Sequence, residues 1–229
     1  METSQAVATG DTFAAQAFEL TRWRKVASVL QRVPIFPLLI LATLIFTAVA
    51  ADFLAPHNPE VGNLRYRYRP PVWQDKGSWE YVLGTDHMGR DILSRLIFGA
   101  RISLIVGVTA SIFAGILGTT LGILSGFQGG WVDQVIMRLT DAWLALPGVT
   151  FAILFAVLMQ PGKWNIILIL GLVYWTRYAR VIRGEVLSLK ERDYVRLATV
   201  AGCSRAKIMW THILPNVANT AIVIATLQI

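Results

Sequence analysis

The sequence predicts an all-α membrane protein that crosses the bilayer several times. Of its 229 residues, 55% are hydrophobic and only 15% are charged, and the mean hydropathy is +0.54. Soluble domains carry roughly 25% charged residues, so this balance indicates a chain that resides in lipid. Apolar runs of about 20 residues recur along it, the length that a helix needs to cross a hydrocarbon core roughly 30 Å thick.

The charge balance is basic, with 21 Lys and Arg against 14 Asp and Glu. A net charge of +7 could indicate nucleic-acid binding. The basic residues cluster beside the apolar runs, however, where they orient a membrane protein and meet anionic lipid. We therefore expect membrane lipid and no nucleic acid among the partners. Cys203 is the only cysteine, which excludes an intramolecular disulfide and a multi-cysteine metal site, and we expect no metal.

Residues 1–33 form a polar tail, and residues 34–54 form the first predicted transmembrane helix. Four basic residues precede this helix: Arg22, Arg24, Lys25 and Arg32. Since basic flanks stay inside, we expect the tail to be cytoplasmic. Residues 48–50 resemble a signal-peptidase site, but the apolar run begins late and is long for a signal peptide, which favours an uncleaved anchor.

Residues 55–101 are rich in proline and aromatic residues and are predicted to form an extracytoplasmic loop. Within the loop, residues 83–91 contain two aspartates and a histidine, which could suggest a metal or catalytic site. A structural role accounts for the same residues, with a turn at Gly84 and a helix cap at Thr85 or Asp86. Because no nucleophile and base pair is evident, we assign no catalytic residue.

The second predicted span, residues 102–127, carries small residues at every fourth position. These residues are Ala110, Ala114, Gly118, Gly122 and Gly126. A stripe of small side chains lets the backbone of another helix approach closely, so we expect helix packing along it. A flexible gating helix would use the same glycines, and this alternative stays open.

The third predicted span covers residues 132–159. Arg138 and Asp141 lie three positions apart, so we expect a charged pair on one helical face. Charged residues inside a membrane have either a structural or a transport role, and both roles remain open here. Pro147 and Gly148 are expected to kink the helix.

The fourth predicted span, residues 164–178, leads into a basic segment in which Lys and Arg outnumber Asp and Glu. This excess predicts a cytoplasmic location. The fifth span begins near Ile213 and has barely enough residues to cross before the sequence stops.

Between these two spans, residues 190–212 read as a hairpin of two short helices. The first helix has apolar residues at helical spacing: Tyr194, Leu197, Ala198 and Ala201. Gly202 suits the positive φ that ends many helices, and Ser204 can cap the next helix. Pro215, directly after Leu214, is expected to end or kink that second helix.

Three stretches resemble a known family. Ala198, Gly202 and Ile213-Leu214-Pro215 resemble the cytoplasmic loop of ABC importer permeases, whose pattern is Glu-Ala-Ala, a spacer, Gly, a longer spacer, then Ile-x-Leu-Pro. Arg196 and Leu197 stand where that family usually has Glu and Ala. Residues 83–91, Leu-Gly-Thr-Asp-x-x-Gly-Arg-Asp, are similar to the second permease subunit of dipeptide, oligopeptide and nickel importers. Residues 129–147 match the same pattern.

The resemblance implies a type I ABC importer permease fold, with five spans present of an expected six and a permease core over residues 102–229. We accordingly expect the sequence to be truncated at its C-terminus. The resemblance also implies a hairpin that docks on an ATPase subunit. The coupling residues would be Tyr194, Arg196, Leu197, Ala198, Ala201, Gly202, Arg205, Leu214 and Pro215.

The implied partners are a second homologous permease, two ATPase subunits that bind ATP and Mg, and an extracytoplasmic solute-binding protein. This chain would bind no cofactor itself. The implied location is the cytoplasmic (inner) membrane of a bacterium or archaeon, with several spans and a cytoplasmic N-terminus.

The sequence shows no phosphate-binding loop, because Trp164 follows Gly162-Lys163 where Ser or Thr would bind magnesium. It shows no hydrolase signature either, so we expect no enzyme and place ATP hydrolysis in separate subunits. The leading hypothesis is a permease subunit of a binding-protein-dependent importer for di- or oligopeptides, or for a related solute such as nickel. The alternative is a secondary transporter driven by an ion gradient, with Arg138 and Asp141 as its only candidate coupling residues.

Overall fold

The computed structural model describes residues 35–228. Within this range the regular elements are helices, and the one β-type contact is an isolated bridge between Thr85 and Asp91. The predicted cytoplasmic tail, residues 1–33, lies outside the described residues together with its four basic residues. Its location therefore stays a prediction.

The first apolar run forms two helices, α1 (Ile35–Val49) and α2 (Ala51–Leu54). Almost all α1 side chains are exposed, and only Ala48 is buried, as expected of a helix that faces lipid. Both helices contact α3 (Ile92–Gln128). Asp52 fixes this contact by accepting a hydrogen bond of 2.9 Å from Arg101 of α3.

The polar loop that follows is organised by residues 83–91. The Thr85 hydroxyl is buried, donates to the carbonyl of Tyr66 and accepts from the backbone N–H of Arg69 at 2.9 Å. The Asp86 carboxylate accepts from the backbone N–H groups of Met88 and Arg90, at 2.8 and 3.0 Å. It also binds the side chains of Arg90 and Arg95. This segment is therefore the structural centre of the loop.

The prediction that Thr85 or Asp86 caps a helix was wrong, because Asp91 is the cap. The Asp91 carboxylate accepts from the backbone N–H of Ser94 at 3.0 Å and from its hydroxyl at 2.6 Å. The side chains of Thr85 and Asp86 form hydrogen bonds within the loop. Asp91 is therefore the side chain that accepts from a free backbone N–H group in the first turn of α3. Helix α3 consequently begins at Ile92, well before the predicted start of the second span at residue 102.

Helix α3 packs along most of its length against α6 (Lys163–Lys190). The five small residues of α3 are buried. A Cβ atom added at Gly118 would lie 2.3 Å from the carbonyl oxygen of Trp175, and one at Gly122 would lie 2.8 Å from that of Ala179. At Gly126 the added atom would lie 2.9 Å from a side-chain carbon of Val186. The two backbones therefore approach too closely for any larger residue.

The third predicted span is broken into α4 (Gly130–Leu144) and α5 (Gly148–Leu158), which meet at 86°. The predicted kink at Pro147 and Gly148 is thus nearly a right angle, because Pro147 stands in extended backbone at the start of α5. A pair bent this far is either one broken span or a re-entrant loop.

Helix α6 continues far beyond residue 178, where the fourth span was expected to end, and carries the basic segment as regular helix. From the second helix of the hairpin, α8 (Arg205–Ile208), the chain continues without a break into a π-helical turn (Met209–Ile213) and α9 (Leu214–Gln228). Among the described residues, three helical stretches are long and apolar enough to cross a membrane: Ile92–Gln128, Lys163–Lys190 and Arg205–Gln228. The bent pair of α4 and α5 would be a fourth if it forms one span. The chain is thus a multi-pass membrane protein, and the count of five spans stays a prediction.

The expectation that Pro215 ends its helix was wrong, and a kink at this position stays a prediction. Pro215 lies in the first turn of α9, and the helix runs through it. The preceding π-helical turn explains this, because the N–H of Leu214 bonds to the carbonyl of Met209, five residues back. A wider turn loosens the backbone in front of the proline, which lacks an N–H and whose ring would crowd a regular turn.

Candidate functional site

The hairpin after α6 is built by a helix-ending turn. Helix α7 (Asp193–Val200) is capped by Ala201 and followed by Gly202, whose φ of +77° suits glycine. The N–H of Gly202 bonds to the carbonyl of Thr199, and that of Cys203 to the carbonyl of Ala198, both at 3.1 Å. This is the Schellman arrangement, which satisfies carbonyls at a helix end. Ser204 then caps α8 by accepting from the N–H of Lys207 at 3.3 Å.

One side of the hairpin is part of the hydrophobic core. Val195 of α7 and Ile208 of α8 are almost fully buried. They belong to a cluster with one residue of α3, two of α6, one of the π-helical turn and one of α9: Ile123, Ile182, Val186, Ile213 and Val217. Because a close-packed core transmits displacement, motion of the hairpin would be passed to the helices that share this cluster.

The other side of α7 is an exposed apolar strip, which we define as Tyr194, Leu197 and Val200. Their exposed fractions are 41%, 66% and 86%. Tyr194 and Leu197 of the apolar pattern found in the sequence therefore face outward, and Val195, which that pattern missed, faces the core. An apolar strip with a polar rim on a surface helix is typical of a protein interaction site.

The remaining hairpin residues of the prediction lie around the strip. Ala201, Gly202 and Arg205 are exposed, whereas Ala198 is half-buried and packs against the core cluster. Arg196 is exposed and forms an ion pair with Glu191 at the end of α6. In α9, Leu214 packs against the core cluster and Pro215 is exposed.

The chain is similar to known membrane transport proteins. Residues 118–229 match the family described as the binding-protein-dependent transport system inner membrane component. The di/tripeptide transport system permease protein DppC of Pseudomonas aeruginosa is 37% identical over 191 residues, 83% of this chain and 63% of its own length. The oligopeptide transport system permease protein OppC of Bacillus subtilis is 34% identical over 192 residues, 84% of this chain and 61% of its own length.

Residues 118–229 belong to this family of inner membrane components. The family match covers the bent pair α4 and α5, helix α6 and the whole hairpin. The similarity to the two relatives extends over more of the chain than the family match does. The chain spans a little less than two thirds of the length of these relatives.

Two ion pairs in this inner membrane component link α6 to α4. Asp141 binds Arg180 of α6, so the prediction that it pairs with Arg138 was wrong. The other pair joins Asp133 to Arg183, whose guanidinium donates two hydrogen bonds of 2.5 and 2.6 Å. The partners lie 39 and 50 residues apart in sequence, so local spacing could not reveal either pair. Among the described residues, Arg138 has no carboxylate within ion-pair distance, and it is exposed.

In residues 35–228, no three His, Cys, Asp or Glu side chains are grouped so that they could hold a metal ion. The aspartates of residues 83–91 are engaged in the loop contacts described above. The hairpin combines an exposed apolar strip on one side with buried residues of the hydrophobic core on the other.

Proposed function

We propose that this chain is the transmembrane permease subunit of a binding-protein-dependent ABC importer for di- or oligopeptides, or for a related solute such as nickel. The observation that carries the proposal is the two-sided hairpin, with its exposed apolar strip and its buried side shared with α3, α6 and α9. The relatives support the substrate class, since they are named permeases for di/tripeptides and oligopeptides.

In the proposed mechanism, an ATPase subunit binds the exposed apolar strip. When two such subunits close on ATP and Mg, they displace the hairpin as one body, because the Schellman turn and the core cluster hold α7 and α8 together. The displacement reaches α9 through the π-helical turn and reaches α3 and α6 through the core cluster. The chain itself contributes no catalytic residue and no cofactor site, and ATP hydrolysis takes place in the partners.

The full assembly would contain this chain, a second homologous permease, two ATPase subunits and a solute-binding protein outside. The coupling hairpin, residues 190–212, would lie in the cytoplasm, and so would the N-terminal tail, residues 1–33. The span over residues 34–54 would lead to the extracytoplasmic loop, residues 55–101, which would meet the solute-binding protein. Residues 102–229 would form the core in the inner membrane.

Replacement of an exposed leucine tests the docking surface. The tagged protein is purified from its host as the wild type and as Leu197→Asp, and retention of nucleotide-hydrolysing subunits is measured. We expect Leu197→Asp to lose them, since a carboxylate buried in an apolar interface is strongly unfavourable. The matched control is Leu64→Asp, which replaces a similarly exposed leucine in the opposite polar loop.

Two results would overturn the proposal. One is a wild-type protein that retains no ATPase subunit even after crosslinking from Cys203. The other is equal retention by Leu197→Asp and Leu64→Asp. In proteoliposomes of the whole complex, dipeptide uptake should require ATP inside and should be unaffected by uncouplers, which separates this function from a secondary transporter.

A further inference from the structure

A cavity of about 560 Å³ lies at the bend between α4 and α5, against the middle of α6. Its size falls in the range of small-molecule sites. Its walls are mainly aromatic and aliphatic: Trp143, Phe151, Leu170, Val173 and Tyr174.

The aromatic wall of this cavity is held in place by specific contacts. The indole N–H of Trp143 donates to the carbonyl of Leu172 at 2.6 Å. The Trp143 ring lies 4.4 Å from that of Phe151 and 6.0 Å from that of Trp175. The cavity therefore has a rigid apolar side on which another apolar group could pack.

Arg177 places a positive charge at the same cavity. It begins a row of three arginines on α6, of which Arg180 and Arg183 bind Asp141 and Asp133. Among the described residues, Arg177 has no carboxylate within ion-pair distance, and its nearest aromatic contact is the Tyr174 ring at 6.0 Å. Arg177 lies near the middle of the 28-residue helix, at the end of the predicted fourth span, and its side chain is exposed.

Two further hydrogen-bond donors line the cavity. Thr176 is fully buried, and its hydroxyl has no hydrogen-bond partner among the described residues. The N-terminus of α5, at Gly148 and Val149, opens onto the cavity without a side-chain cap. Helix N-termini attract anions, and transporters use those of broken helices to hold substrate carboxylates. No acidic residue is among the described residues that line the cavity.

We propose, on the basis of the function proposed above, that this cavity binds the C-terminal end of a peptide during transport. The carboxylate binds Arg177, Thr176 and the N-terminus of α5, and the last apolar side chain packs against Trp143 and Phe151. A group with one anion and one apolar side chain matches both the hydrogen-bond donors and the apolar walls of the cavity. The phosphate of an anionic lipid shares the anion chemistry, so the test below separates the two sources.

The test uses alanyl-photoleucine, a dipeptide whose second side chain crosslinks on illumination, and its C-terminal amide. The purified complex of this chain with its partner subunits, without the solute-binding protein, is placed in nanodiscs of phosphatidylcholine. We expect the acid to label peptides that contain Trp143 or Phe151, and the amide to label them about tenfold less, because a charge-assisted hydrogen bond is lost.

Arg177→Gln should reduce labelling by the acid to the level of the amide, and Thr176→Val should reduce it by a smaller factor. The matched control is Lys163→Gln, which removes a cation from the same helix outside the cavity. Arg177→Lys keeps the charge and should retain most of the labelling. This variant and Thr176→Val keep the proposal testable if Arg177→Gln fails to assemble.

Equal labelling by acid and amide in the wild type would overturn the proposal, as would an unchanged acid-to-amide ratio in Arg177→Gln. A lipid site is recognised by mass spectrometry, if Arg177→Gln loses retained phosphatidylglycerol while peptide labelling is unchanged, and this result also overturns the proposal. ATP-dependent uptake of alanyl-leucine by wild-type proteoliposomes tests the proposed function separately, because it does not depend on where the peptide is labelled.

Discussion

The Arg183 guanidinium holds both carboxylate oxygens of Asp133, with hydrogen bonds of 2.5 and 2.6 Å. Asp133 lies in the first turn of α4, and Ser125 of α3 donates a third hydrogen bond to the same carboxylate. One carboxylate therefore joins α3, α4 and α6. The joint lies next to the hairpin, since Val186, one turn after Arg183 on α6, belongs to the core cluster.

We expect Asp133→Asn to lower the thermal stability of the purified complex. The change removes a bidentate, charge-assisted contact and leaves a partly buried guanidinium without its carboxylate, at a cost of about 2 kcal/mol. The matched control is Asp141→Asn, whose pair with Arg180 is more exposed and should contribute about 0–1 kcal/mol. Equal losses in the two variants, measured by thermal unfolding, would contradict this account.

Gly118→Ala should separate α3 from α6. Its new Cβ would lie 2.3 Å from the Trp175 carbonyl oxygen, which belongs to the backbone and can move only with its helix, so a loss of about 1–3 kcal/mol is expected. Gly99→Ala, in the same helix with nothing within 4 Å, should be neutral or stabilising by up to about 1 kcal/mol. Thermal unfolding of both variants checks the prediction, which fails if they behave alike.

Gly202→Ala should weaken the hairpin turn through backbone strain alone, because its φ is +77° and no atom lies within 4 Å of the added Cβ. The expected cost is about 1 kcal/mol. Hydrogen exchange at the N–H groups of Gly202 and Cys203 should become faster. Gly184→Ala, at an open position within α6, is the control and should leave this exchange unchanged. Unchanged protection in Gly202→Ala would show that the turn does not depend on glycine.

The polar loop should lose stability in acid through Asp86. Burial of its carboxyl opposes ionisation, but hydrogen bonds from the backbone of Arg90 and Met88 and from the Arg90 guanidinium outweigh it and hold the pKa of Asp86 well below its ordinary value. A carboxyl group whose pKa is lower in the folded than in the unfolded state stabilises the fold. This stabilisation is fully present above the unfolded pKa of about 4 and is lost as the pH falls toward the folded pKa.

Hydrogen exchange in residues 63–91, corrected for the intrinsic rate, measures this effect. We expect protection to be constant from neutral pH down to about pH 4 and to fall below it. Asp86→Asn should start with lower protection at neutral pH and show a flatter response to acid, whereas Asp75→Asn, at an exposed position of the same loop, should match the wild type. A wild-type response retained in Asp86→Asn would exclude this carboxylate as the cause.

Features that depend on near neighbours in sequence could be predicted. The five small residues of α3 and the turn at Gly202 and Ser204 follow from helical spacing and from the conformational range of single residues. The apolar runs located the membrane helices but not their ends, because α3 and α6 continue as regular helix through polar residues. Hydropathy marks the part of a helix that meets lipid and carries no information on how far the helix extends.

Features that depend on tertiary contacts could not be predicted. The partners of Asp133 and Asp141 come from another helix, so no spacing rule links them. Whether Val195 or Leu197 faces the core is decided by how α7 packs on α6, since both are apolar. The helix continues through Pro215 because a π-helical turn precedes it. No residue in that turn is a sequence signal for a π-helix.

The π-helical turn at Met209–Ile213 also sets the angular offset between the hairpin and α9. A turn of this kind holds one residue more than an α-helical turn, and each residue of a helix accounts for about 100° of rotation. Removing one residue there would restore an ordinary α-helix. It would also rotate the exposed apolar strip to a different direction about the axis of α9. The additional residue thus sets the direction in which the hairpin presents its exposed apolar strip.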